Sequence, residues 1–158
     1  MKLLIATDGS DFSKAAVEEA CRMLTNIGTD SIMVVSAFEE QIALAAEPFA
    51  FSAQYYQELV EGAAANARSY AESAAEMLRR ITGRLDLDID IRVVAGPPEK
   101  EIVDLAASWG ADLIIVGSHG RGFWGRMLGS VSDGVLHHAP CSVLVVRKST
   151  GKRQSSLN

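Results

Sequence analysis

At 158 residues the chain has the length of one domain, enough to bury a core without disulfide or metal staples. Its 48% hydrophobic and 22% charged residues exclude disordered, collagenous and coiled-coil classes. Fifteen Lys and Arg against twenty Asp and Glu leave a formal charge of −5, which argues against a general binder of nucleic acid or anionic membrane.

The longest apolar runs, such as Leu113 to Val116 and Val143 to Val146, are strand-sized and far short of the roughly 20 residues a membrane span requires. After Lys2 only Leu3 to Ala6 are apolar, too few for a signal-peptide core, so a cytoplasmic location is expected. Cys21 and Cys141 are widely separated, have no C-x-x-C spacing, and read as small buried hydrophobes in a reducing compartment.

Lys2 to Thr7 is a short apolar run that predicts a strand, and Asp8-Gly9-Ser10 supplies a turn and a helix N-cap. Phe12, Ala16, Ala20, Met23, Leu24 and Ile27 recur at helical spacing, with Gly28 placed to stop the helix. Ile32 to Phe38 reads as a buried strand, and Glu39 to Ala50 as a connection. From about Tyr56, the positions Leu59, Val60, Ala63, Ala67, Tyr70, Ala74, Leu78 and Ile81 mark one face of a long helix ending at Gly83. Leu87, Ile89, Ile91 and Val93 alternate with polar residues, the period of a strand with one wet face at a sheet edge. Gly96-Pro97-Pro98 then leads into a helix carrying Ile102, Val103, Leu105, Ala106 and Trp109, closed by Gly110. Leu113 to Val116 predicts a strand buried on both faces, Ser130 to His138 a short helix, and Ser142 to Val146 a last strand. The polar tail from Lys148 is expected to fray.

Five strands alternating with four helices predict a single-domain, doubly wound α/β fold: a five-stranded parallel sheet with helices on both faces. Such sheets bind ligands beyond the carboxyl ends of their strands, where the strand order reverses. The segment after the fourth strand is unusual there: Gly117, Gly120, Gly122, Gly125 and Gly129 fall within thirteen residues. No Asp or Glu occurs from Leu113 to Ser132, whereas His119, Arg121 and Arg126 do. Glycine lets backbone N–H groups approach phosphate oxygens, and the helix opening at Ser130 offers its N-terminal amides to an anion.

Gly120 to Gly125 matches G-x-G-x-x-G, but it follows the fourth strand rather than the first and no acid lies about twenty residues on, so a dinucleotide fingerprint is rejected. A P-loop is rejected because Arg126-Met127 replaces its lysine and hydroxyl residue. His137 and His138, with Cys141 nearby, are read as bonding terminal helix carbonyls rather than as a metal site, and Ser118-His119 with Asp8 lacks the elbow of a hydrolase triad. Arg121 and Arg126 are either phosphate clamps or solvated, and Phe123 and Trp124 are read as packing residues.

Gly117-x-x-Gly120, a spacer, and Gly129-Ser130, between a Leu-Ile-Ile-Val strand and Pro140-Cys141-Ser142-Val143-Leu144-Val145-Val146, closely resemble the universal stress protein family. Ile5-Ala6-Thr7-Asp8-Gly9-Ser10 resembles that family's first strand and turn, so the resemblance runs over nearly the whole chain, residues 1–147, with 148–158 a polar tail. It implies ATP, with Mg²⁺ on its phosphates, as ligand. Adenine and ribose would lie against Ala6, Thr7, Asp8, Ala37 and Val116. Phosphates would bond to Gly117, Gly120, Gly129, Ser130, Val131 and Ser132. It also implies a homodimer through the last strand, Val143, Leu144, Val145 and Val146.

The nucleotide-binding branch of the family carries nine residues between the second and third glycines, and this chain has eight, Arg121 to Leu128. Gly122 and Gly125 are expected to absorb the shortening. The readings weighed are an ATP-holding module, a slow ATPase or self-phosphorylating enzyme acting on Ser130 or Ser132, and a stress-family interaction protein that binds no ATP.

Overall fold

The computed structural model describes residues 1–24, 31–39, 53–120 and 127–148. The elements are β1 (Lys2–Ala6), α1 (Asp11–Leu24), β2 (Ser31–Phe38), α2 (Ala53–Thr82), β3 (Ile89–Ala95), α3 (Pro98–Trp109), β4 (Leu113–Gly117), α4 (Ser130–His138) and β5 (Ser142–Val146). All five strands are parallel and ordered β3-β2-β1-β4-β5, so the expected doubly wound sheet is present, with β3 at an edge as its alternation predicted.

Strand alternation divides the core in two. Leu3, Ile5, Ile32, Val34 and Ile115 project to one face and pack on Ala16, Val17 and Ala20 of α1 and on Ala71, Ala74, Ala75 and Leu78 of α2. Leu4, Met33, Val35, Ile114 and Val116 project to the other, against Ile102 and Ala106 of α3 and Val135 of α4. Burying a side chain such as Leu3, Leu4 or Ile5 stabilises by about 1.5–3 kcal/mol relative to exposure. The small buried residues of α2, four alanines among five, let the helix axis come close to the sheet.

Several boundaries differ from the sequence reading. β1 stops at Ala6, although Thr7 still donates its N–H to the Val35 carbonyl at 2.9 Å. α2 starts at Ala53, before its apolar periodicity begins, because the residues from Ala53 to Asn66 are held by helix bonds with no fully buried side chain. The helix in α1 is described to Leu24; Ile27, Gly28, most of the connection after β2, the loop residues 121–126 and the tail from 149 lie outside the described residues. α3 does end at Gly110, whose φ of 71° is left-handed and whose N–H reaches the carbonyls of Ala106 and Ala107. Cys21 is buried as expected, but Cys141 is only half-buried, since it precedes an edge strand. Burial pushes both thiols up from their ordinary values, which keeps them in the unreactive protonated form. No helix among the described residues is long and apolar enough to cross a membrane.

Candidate functional site

The strand order reverses between β1 and β4, and a cleft of about 670 Å³ opens there, beyond the carboxyl ends of β1, β2 and β4. All eleven residues singled out from sequence line it: Ala6, Thr7, Asp8, Ala37, Val116, Gly117, Gly120, Gly129, Ser130, Val131 and Ser132. Residues 6–8, Ala37 and the lining residues from Val116 to Ser132, far apart in sequence, therefore meet because parallel strands all end on the same side.

The turn after β1 is held by its own side chains. Thr7 Oγ1 accepts from the Gly9 N–H at 3.3 Å and donates to Ser13 Oγ at 3.2 Å, while Ser13 Oγ donates to the Ser10 carbonyl at 3.0 Å. Ser10 Oγ caps α1 by accepting from the Ser13 N–H at 3.2 Å. Asp8 Oδ1 accepts from the Ser10 N–H at 3.0 Å, which fixes the carboxylate and leaves Oδ2 beside Gly120. Gly9 has a φ of 74°, and a Cβ there would lie 2.5 Å from the Tyr70 ring of α2, so both backbone and packing require glycine.

The loop after β4 is drawn onto α4 by one carbonyl. Ser118 oxygen accepts from the Gly129 N–H and from Ser132 Oγ, each at 2.9 Å, and Ser132 Oγ also lies 2.9 Å from the Gly129 carbonyl. A Cβ on Gly117 would sit 2.7 Å from the Phe12 carbonyl carbon, and one on Gly129 would sit 3.2 Å from His119 Cα. Both glycines thus permit backbone to pass backbone. Gly129 is the N-cap of α4 in extended geometry and no side chain among the described residues accepts there, so the first-turn amides of α4 keep their donor capacity toward the cleft.

Ser118 and His119 are buried neighbours joined through Oγ and Nδ1 at 3.0 Å, and the imidazole lies tilted at 48° against the Phe12 ring, 5.0 Å between centroids. His137 and His138 place Nδ1 2.8 and 2.9 Å from the carbonyl oxygens of Asp133 and Gly134, one turn back in α4 rather than at its end. Sequence reasoning did not assign Ser13, Ser36, Asn66, Tyr70, Pro98 or Ile102 to the cleft, although all line it. For Ser36 a signal existed: it breaks the apolar run Ile32 to Val35 at the strand's carboxyl end. For the α2 and α3 residues none did, because which helix roofs a strand end follows from layer packing.

A profile of the universal stress protein family matches residues 1–147. Universal stress protein A homolog 2 of Coxiella burnetii is 46% identical over 77 residues, a match that takes in 48% of this chain and 53% of that one. Among solved structures, universal stress protein UspA from Lactobacillus plantarum superposes with a TM-score of 0.75 at 23% identity, over 93% of this chain and 97% of that one. A universal stress protein solved in complex with cAMP gives a TM-score of 0.59 at 26% identity, over 92% of this chain and 96% of that one. The backbone order, the cleft at the strand switch and the sequence match agree, and the chain belongs to the universal stress protein family.

Proposed function

We propose that this protein is a cytoplasmic stress-response module that binds an adenine nucleotide, ATP with Mg²⁺, in the cleft between β1 and β4. The observation that carries the reading is the convergence of all eleven sequence-derived residues on one cleft, with α4 presenting amides that no side chain of the described residues caps. The likeness to a protein solved with cAMP supports the same ligand class.

Adenine and ribose lie against Ala6, Thr7, Asp8, Ala37 and Val116. The phosphates lie against Gly117, Gly120, Gly129 and the first turn of α4, where an acid-free loop and the helix dipole favour negative charge. Ser132 contributes its amide, since its hydroxyl is already directed at two carbonyls. Ser130 is exposed and is the hydroxyl on which self-phosphorylation would be sought. Mg²⁺ comes with the phosphates, and Asp8 and Glu39 are the carboxylates that line the cleft among the described residues.

Calorimetric titration tests the reading. ATP with Mg²⁺ is expected to bind in the micromolar range, about −8 kcal/mol, and failure to bind at millimolar ATP overturns it. Release of phosphate from labelled ATP, or label left on the protein, would convert the module into a slow enzyme.

A further inference from the structure

The two sides of the cleft differ in chemistry. Ala6, Val35 and Val116 belong to the core on the α3 side, where Ile102 joins them in an apolar wall. On the α2 side, successive rows across the sheet run Leu113, Leu3, Ile32, Ile89 and then Ile115, Ile5, Val34, Ile91. One step further, past the Ala6–Val35 pair, the row becomes Thr7 and Ser36. Ala63 and Ala67 of α2 line the same part of the cleft, together with Asn66 and Tyr70. Small side chains on strand and helix leave open space where the rows below are filled.

The Ser and Thr hydroxyls on this side are those of Thr7, Ser13 and Ser36, and the first two are engaged: Thr7 Oγ1 donates to Ser13 Oγ, which donates to the Ser10 carbonyl. The third, Ser36 Oγ, has no hydrogen-bond partner among the described residues, and the residue is only 1% exposed. A buried hydroxyl without a partner is less favourable than an apolar group of the same shape, so folding alone would prefer alanine at this position. Its residue lines the cleft, and a single torsion with three staggered wells sets where the hydroxyl points.

Resting on the nucleotide reading above, we infer that Ser36 is the residue through which the cleft recognises the nucleoside part of its ligand, its hydroxyl exchanging hydrogen bonds with a neutral sugar or base group. Ser36 directly precedes Ala37, which lies on the strand assigned to the base, whereas the amides assigned to the phosphates stand across β1, at β4 and α4. Ribose hydroxyls, ring nitrogens and an exocyclic amine match a neutral hydroxyl. A phosphate instead calls for amide or cationic donors, as at the opposite end of the cleft.

The test compares wild type and Ser36→Ala by calorimetry with two probes, ATP and inorganic tripolyphosphate, and records the melting temperature without ligand. ATP affinity is expected to fall about five- to tenfold, the loss of one well-made hydrogen bond, while tripolyphosphate affinity holds. The unliganded variant should melt no lower than wild type, because it loses an unpartnered hydroxyl. Unchanged ATP affinity, an equal loss for both probes, or a lowered melting temperature with affinity intact each overturns the assignment. A wild type that binds tripolyphosphate but not ATP overturns it while sparing the phosphate loop; one that binds neither removes the nucleotide reading as well.

Discussion

Gly117 and Gly120 stand three residues apart and meet different neighbours, so their alanine variants should fail differently. At Gly117 a Cβ would penetrate the Phe12–Ser13 backbone at 2.7–2.9 Å, and helix α1 cannot withdraw without disturbing the core beneath it. Gly117→Ala is therefore expected to destabilise by about 1–3 kcal/mol, read as a lower urea midpoint. At Gly120 the one near atom among the described residues is Asp8 Oδ2 at 3.0 Å, the carboxylate oxygen not bonded to the Ser10 N–H, which needs to give by only a few tenths of an ångström. Gly120→Ala should change stability by less than about 0.5 kcal/mol and act on ATP affinity instead, by moving that carboxylate. Equal loss of stability in both variants would show that the two glycines share one role. A pH effect belongs to Asp11, held below the ordinary carboxylate range first by its hydrogen bond from Lys148 and then by the charges of Lys148 and Lys14. A depressed folded-state value contributes stability above the unfolded value and loses it as pH falls through the folded one. Lys148→Ala should raise the Asp11 midpoint in an NMR titration, and an unmoved midpoint would remove Lys148 as the cause. These near contacts could not be read from sequence: it shows where glycines cluster, not which of them faces another backbone.

At the scale of elements, the strands and the cores of the helices were legible because burial imposes the periodicity that marks them. β4 and β5 came out within one residue of expectation since their apolar runs end where the sheet ends. The start of α2 was not legible, because an exposed helix end carries no apolar period and here runs about a turn beyond it. β5 presents an open edge: its four apolar residues are only half-buried in the single chain, whereas Ile114, Ile115 and Val116 of its neighbour β4 are fully buried. An edge this apolar is a hazard unless covered, and pairing with a second β5 would cover it without any new element. Light scattering at micromolar concentration is expected to give twice the 16.9 kDa chain mass. A monomer mass refutes pairing through this edge.

Across the molecule, the four helices of the described residues cover the two faces of the sheet, and the cleft opens at its carboxyl end. That general place was legible from the βα alternation, and the loop after β4 from its glycines and missing acids; the α2 side of the cleft, with Ser36, was not, because it depends on which helix roofs β2. A cleft built from β1, β2, β4, α1, α2, α3 and α4 has a thermodynamic consequence, since its ligand contacts exist only when all seven elements are assembled. Ligand that binds the folded state alone adds RT ln(1 + [L]/Kd), about 4 kcal/mol at a thousandfold excess over Kd. For a domain of this size each kcal/mol moves the midpoint by about 2–4 °C, so millimolar ATP against a micromolar site should raise it by about 8–16 °C. Gly129→Val sharpens the measurement. Its Cβ would already stand 3.2 Å from His119 Cα, and the added methyl groups would crowd the amides of α4, while its φ of −72° suits any residue. The variant should keep most of the wild-type midpoint without ligand and lose most of the ATP-induced rise. If the rise survives in Gly129→Val, the nucleotide is held elsewhere than at the α4 terminus; if wild type shows no rise, the cleft does not bind ATP at all.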